Sequence, residues 1–394
     1  MEEQPALSEH RGPQKLIWLL MPLALLIAAI GWIVFADPFQ SFRNGAPPVE
    51  GVTFERTILN DQGLRMLVRA GGSDPMRIAQ VQVDAAYWSF TQTPPGDISR
   101  GATVWLDVPY PWVLGEAHAV TLVTTTGATF THEIEVAVST PKVTAGQLRF
   151  QALIGIFVGV VPIVFGLMFY PVLRGVGQGG MNFLMALTIG LLAFLLVDSA
   201  EEALELAGNS AALFQGPVMV VLVAAATFLL LMAVGQRGGP PTGLALSTFI
   251  ALGIGLHNLG EGLAIGAAFA AGSAGLGTFL VLGFTLHNIT EGIGIAAPIL
   301  KKRPPLWTFA GLALLAGGPA VIGMWLGSLA FSPQWGAFAM AIGAGAILQV
   351  VVQVGAYVMR SNNLGLETFL RPSVLSGLTA GVAFMYVTAA FVKI

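Results

Sequence analysis

Long apolar runs separated by short polar breaks occupy the chain from residue 148 onward, and one more stands near its beginning. A helix that crosses a hydrocarbon core about 30 Å thick needs about 20 mostly apolar residues. Nine stretches meet that length: Leu16–Ala36, Leu148–Leu173, Met181–Val197, Ala212–Val234, Leu244–Ala270, Ala274–Leu300, Leu306–Ala330, Trp335–Met359 and Val374–Val392. The last eight follow one another through short connectors, so residues 146–394 are expected to form one eight-helix bundle. The first, residues 16–36, reads as a separate transmembrane anchor behind a cytoplasmic terminus of residues 1–15. A secretory signal is the competing reading, because Val34 and Ala36 precede Asp37 in a small-residue cleavage pattern. Its apolar run of about 20 residues exceeds the usual 7 to 15 of a signal, which favours an uncleaved anchor.

Residues 37–145 follow a different pattern. They hold eleven acidic residues and short alternating runs, Ile78–Val83 and Glu133–Val138. Alternation predicts half-buried strands. Turn signals at Asn60-Asp61-Gln62-Gly63, Gly71-Gly72, Pro94-Pro95-Gly96 and Thr126-Gly127 divide the segment into six or seven strands, which suits a small immunoglobulin-like β-sandwich. His118 and His132 fall on these strands at no spacing that would pair them as metal ligands. The expected fold is therefore an all-α polytopic membrane protein with an eight-helix bundle, preceded by one transmembrane helix and a small β-sandwich domain.

Composition sharpens this picture. The 394 residues are 55% hydrophobic and 10% charged, with a mean hydropathy of +0.76; a soluble domain is nearer a quarter charged. The absence of cysteine excludes disulfides, thiolate metal sites and thiol nucleophiles, and a net charge of -3 without a long basic run excludes a nucleic-acid partner. Charge also orients the bundle. If the β-domain is external, the cytoplasmic connectors carry Arg174, Arg237, Lys301, Lys302, Arg303, Arg360 and Arg371, seven basic residues against none in the short external loops. Basic connectors stay on the cytoplasmic side. This places the β-domain and the C-terminus outside the plasma membrane, or outside the inner membrane of a bacterium.

Two apolar runs contain an unexpected set of polar residues: GLHNLGEGLAIGAAF from Gly255 to Phe269, and TLHNITEGIGIAAPI from Thr285 to Ile299. A charged carboxylate at mid-bilayer costs about 2.5–3.5 kcal/mol on insertion scales, so Glu261 and Glu291 are not idle. With a step of about 100° per residue, His257 lies about 40° to one side of Glu261 and Asn258 about 60° to the other. His287, Asn288 and Glu291 repeat the arrangement. Brought face to face, the two helices would surround one point with two His and two Glu, and a second with two Asn and the same two Glu. The first set suits Zn²⁺ or another borderline first-row ion, and the second, all oxygen, suits a harder ion more weakly. The pattern lacks the His-Glu-x-x-His of a zinc protease, and the glycosylation match Asn288-Ile289-Thr290 lies at membrane depth. Gly253, Gly255, Gly260, Gly262 and Gly266 on one run, and Gly283, Gly292 and Gly294 on the other, permit close helix approach.

The paired motifs His257-Asn258-Leu259-Gly260-Glu261-Gly262 and His287-Asn288-Ile289-Thr290-Glu291-Gly292 resemble the signatures of the fourth and fifth helices of the ZIP (ZRT/IRT-like) divalent-metal transporters. The resemblance covers the eight-helix unit, about 250 residues. Leu196-Val197-Asp198 with Glu201-Glu202-Ala203 is similar to the acidic end of the family's second helix, and Gly343-Ala344-Gly345-Ala346 to its seventh. It implies eight spans with both ends outside. It also implies a primary site of His257, Glu261, His287 and Glu291 and a secondary site of Asn258, Glu261, Asn288 and Glu291. The family's usual Pro before each motif Glu is Gly260 and Thr290 here, so any bend must arise elsewhere. Gly318 stands before Pro319 where the family commonly has Glu, Gln353 replaces an acid, and the His-rich loop is reduced to residues 235–241, so the secondary site is expected to be the weaker.

The resulting expectation is a transporter rather than an enzyme. It would move a divalent transition metal into the cytoplasm, zinc first, with Fe²⁺, Mn²⁺ and Cd²⁺ in reach, and with no organic cofactor. Asp198, Glu201 and Glu202, with Gln349 and Gln353, are the candidate path residues, and Asp198 and Glu202 share a helical face at i and i+4. The lipid bilayer and the ion are the expected partners, a homodimer being compatible. The competing readings are a membrane-embedded zinc metalloenzyme and a metal sensor reporting through the β-domain.

Overall fold

The computed structural model describes residues 12–36, 49–140, 144–270, 274–330 and 332–392. The chain divides into two units, Met1–Val49 and Glu50–Ile394. The first contains helix α1 (Gly12–Ala36), which takes in the expected anchor. Residues 1–11 of the expected cytoplasmic terminus lie outside the described residues.

The second unit begins with two four-stranded antiparallel sheets. Their strands are β1 (Val52–Asn60), β2 (Gly63–Ala70), β3 (Ile78–Val83), β4 (Ala86–Trp88), β5 (Thr91–Thr93), β6 (Thr103–Val108), β7 (His118–Thr124) and β8 (Thr129–Ile134). The sheet orders are β1-β2-β6-β5 and β4-β3-β7-β8, the neighbour pattern of immunoglobulin-type sandwiches with an added edge strand. Strict alternation buries every second residue of β6 and β7, and Met66, Val81, Leu106, Val120 and Leu122 meet in one apolar core. Eight strands replace the expected six or seven because β4 and β5 are three residues long, too short to leave an alternating signal. The run Glu133–Val138 is strand only to Ile134; beyond it the backbone of Ala137 pairs with Glu116 instead.

Among the described residues, eight apolar helical segments of the second unit are long enough to cross a membrane. They are α2 (Ala145–Leu173), α3 (Gln178–Gly208), α4 (Gly216–Gly235), α5 (Leu244–Ala270), α6 (Ala274–Ala296), the pair α7 (Leu306–Gly317) and α8 (Pro319–Ala330), α9 (Pro333–Asn362) and α10 (Pro372–Val392). Two of them are irregular. Helix α2 widens into a π turn at Ile156–Val160, and α7 gives way to α8 at Gly318, just before Pro319. A proline removes a backbone donor, and π turns and prolines are the usual causes of such breaks.

Small residues set which helices touch most closely. A Cβ at Gly262 of α5 would collide with the Ala320 carbonyl of α8, and one at Gly323 with the Leu259 carbonyl of α5. Gly166 of α2 and Gly292 of α6 are related in the same way. Further close approaches pair α3 with α10, through Gly190 and Gly377, α4 with α9, through Gly345, and α5 with α9, through Gly253 and Gly343. Packing without gaps supplies the cohesion that the hydrophobic effect cannot provide inside lipid. The basic connectors gather at one end, where Tyr170 donates to the Lys302 carbonyl and Arg371 to Asn362, itself bonded to Asn182.

The β-region contacts the opposite end. The register of β1 slips between Phe54 and Arg56, a bulge at Glu55, and bulges re-aim the side chains around them. Arg56 Nη1 donates to the Leu329 carbonyl at the end of α8, 2.7 Å away, taking up one of the carbonyls that a helix end leaves free. Glu55, only 6% exposed, forms a bidentate pair with Arg69 and accepts from Gln334 Nε2 of α9 at 2.9 Å. The Arg69 guanidinium also lies 5.3 Å from the Phe214 ring, ahead of α4. Removing one partner of a buried pair leaves an uncompensated charge at about 3–5 kcal/mol. Arg69→Ala is therefore expected to lower the melting temperature of the purified protein clearly, and the double variant Glu55→Gln with Arg69→Ala to lower it less, as read by scanning fluorimetry.

Candidate metal centre

Helices α5 and α6 run unbroken through both motifs, so Gly260 and Thr290 introduce no bend. Thr290 instead donates its hydroxyl to the His287 carbonyl at 2.6 Å. The irregular turns lie in the neighbours, α2 and the α7–α8 junction, beside the motif asparagines.

None of the six motif residues is more than 4% exposed, and the structure brings His257, Glu261, His287 and Glu291 together. Glu261 Oε1 sits between the two imidazoles, 3.0 Å from His257 Nε2 and 2.7 Å from His287 Nε2. The two rings are 6.5 Å apart between centroids, and Phe284 packs edge-on against His287 at 5.6 Å. His257, His287 and Glu291 each offer a ligand atom within 4.8 Å of the others. Glu261 Oε2 and both oxygens of Glu291 have no hydrogen-bond partner among the described residues. A buried, charged carboxylate without a partner is unfavourable by several kcal/mol, a penalty that a proton or a bound cation would remove.

The asparagines are oriented by their nitrogens. Asn258 Nδ2 donates to the Ala316 carbonyl and Asn288 Nδ2 to the Val158 carbonyl, each at 3.0 Å. In a regular helix the Val158 carbonyl would accept from residue 162, which is Pro162 and has no N–H; Asn288 takes that place. With both nitrogens committed, Oδ1 of each asparagine is left buried and unpartnered. The donor sets are thus two imidazole nitrogens with carboxylate oxygens, suited to borderline first-row ions, and amide with carboxylate oxygens, suited to harder ones.

The path residues divide. Asp198 and Glu202 of α3 are half-buried, and Glu202 is close enough to interact electrostatically with Asp198, His257 and Glu261. Glu201 is exposed and is not brought to the centre. On α9, a Cβ at Gly343 would lie 3.2 Å from His257 Cα, which sets the level of the centre on that helix. Gln349 is six residues further, roughly 9 Å at 1.5 Å per residue, and Gln353 one turn beyond, toward the end with the basic connectors. Both are buried with neither amide atom partnered among the described residues. Sequence reasoning missed Ser199, whose Oγ is 3.2 Å from His257 Nδ1, and the two carbonyls held by the asparagines. Pro162, four residues after Val158, was the signal for one of these; nothing in the sequence turns Ser199 toward α5.

No family model matches the chain, and a search of curated proteins finds no match.

An unsatisfied buried partner costs about 1–3 kcal/mol. Asn288→Ala is accordingly expected to lower the melting temperature, and Pro162→Ala, which restores an N–H near the Val158 carbonyl, to recover part of the loss in the double variant. Additive effects in a double-mutant cycle would show that the two positions do not share that carbonyl.

Proposed function

We propose that this protein is a ZIP-like transporter that carries a divalent transition metal into the cytoplasm, zinc first, with Fe²⁺, Mn²⁺ and Cd²⁺ as further substrates. One observation carries this reading: two imidazoles and two carboxylates from two helices converge inside an apolar bundle, with carboxylate oxygens left unpartnered. The doubled motif's resemblance to the ZIP signatures supports it. In this reading the membrane is the plasma membrane, or the inner membrane of a bacterium, and the β-sandwich faces outward.

Charge balance explains the donor set. A divalent ion inside a bilayer must be neutralised locally, and Glu261 with Glu291 supplies two negative charges while the imidazoles add neutral ligands. The half-buried acids Asp198 and Glu202 form the outer access path, and the amides of Gln349 and Gln353 continue a polar route on the other side of the centre. When the ion arrives, His257 and His287 exchange their contact with Glu261 Oε1 for the ion. Such a centre must then open alternately to each side. The close pairing of α5 with α8 and of α6 with α2, against α3 with α10 and α4 with α9, supports movement of the ligand-bearing helices as a body along α9.

His257→Ala and Glu291→Ala are expected to abolish Zn²⁺ uptake into proteoliposomes while the purified protein remains folded. Asn258→Ala and Asn288→Ala, measured per folded protein, are expected to reduce uptake less. Undiminished uptake by both of the first pair would remove the proposal.

A further inference from the structure

We infer that Ser199 is a positioning residue for the metal centre, its hydroxyl holding the Nδ1 edge of His257 so that Nε2 faces Glu261 and the incoming ion. The inference rests on the transport reading above and adds a residue outside both motifs. Ser199 is 1% exposed, it comes from a different helix, and its Oγ is 3.2 Å from Nδ1 while Nε2 is 3.0 Å from Glu261 Oε1. The ring is therefore held at both nitrogens.

The direction of the serine side chain is informative. Hydroxyls inside helices usually bond back to a carbonyl of their own helix, as Thr188, Thr248, Thr285 and Thr379 do here with the residue four positions earlier. Ser199 instead reaches from α3 to α5.

A hydroxyl is also the group that fits both arrangements of the ring. Without an ion, a neutral His257 directs Nε2–H at the carboxylate, which only accepts, so Nδ1 is an acceptor and Ser199 donates to it. With an ion on Nε2, the ring proton must sit on Nδ1 and needs an acceptor, which the same oxygen provides after rotation. The exchange moves one proton from Nε2 to Nδ1 by way of solvent and leaves the ring neutral. A carboxylate or carbonyl at Nδ1, the common partner of a metal-bound histidine, would only accept and would favour the loaded arrangement alone. A serine suits a site that must bind and release.

The test uses the full-length purified protein and Zn²⁺ as the probe, with affinity measured by calorimetry. Outer-shell partners typically contribute 10–100-fold in metal affinity, so Ser199→Ala is expected to weaken Zn²⁺ binding by about 10–100-fold. Ser199→Thr, which keeps the hydroxyl, is expected to restore most of it. Equal affinity for Ser199→Ala and the unmodified protein, or no difference between the alanine and threonine variants, overturns the inference. His287→Ala separates this from failure of the underlying reading: if Zn²⁺ binding survives that change, the centre itself has been misassigned, whereas its loss together with an unaffected Ser199→Ala rejects the role of Ser199 alone.

Discussion

Two buried carboxylates in an apolar bundle are the constraint on which the rest of this structure depends. An ion of that size has an idealised transfer cost of order 20 kcal/mol into a low-dielectric interior, and several kcal/mol after relaxation. Glu261 offsets it through two imidazoles, one from its own helix and one from α6. Glu291 has no such arrangement among the described residues. The cluster is balanced on one side and open on the other, the electrostatic asymmetry on which the proposed cation site rests.

Meeting that constraint dictates the backbone around it. Side chains from α5 and α6 reach one point only if their supporting helices come close, and Gly262 against Ala320 and Gly292 against Ile163 provide that approach. Close approach also lets short amides reach neighbouring carbonyls. The helix irregularities are then stabilised from across the interface: Asn288 completes the π turn of α2, and Asn258 bonds to Ala316 ahead of the α7–α8 junction. The motif helices stay regular because their neighbours carry the breaks.

What was legible in the sequence follows from which forces act locally. The spans could be read because membrane thickness sets a minimum apolar length, and the six motif residues because polar groups in such runs have few structural explanations. Ile78–Val83 was legible as a strand because its alternation is a local signal. Three-residue edge strands leave none, and the bulge at Glu55 depends on what β1 must touch rather than on its own residues. Ser199 was hidden for a related reason: it is an ordinary small residue in an apolar helix until α5 is placed beside it. Pro162 was visible, but its meaning required knowing that Asn288 lies opposite Val158.

The bulge also gives the β-region a defined relation to the bundle. Consecutive residues of a strand normally point to opposite faces, yet Glu55 and Arg56 both reach the helices, one to Gln334 of α9 and the other to Leu329 of α8. Both helices pack on α5 through glycines, α8 at Gly262 and Gly323 and α9 at Gly253 and Gly343, and α9 packs on α4 as well. A rigid sandwich held at both points cannot keep both bonds if α8 and α9 shift relative to each other. The stronger attachment is at α9, where a buried bidentate pair supports the bond and Arg69 also covers Phe214, whereas the attachment to α8 is a hydrogen bond from Arg56 to a helix-end carbonyl. A displacement of α8 against α9 would therefore fall first on Arg56.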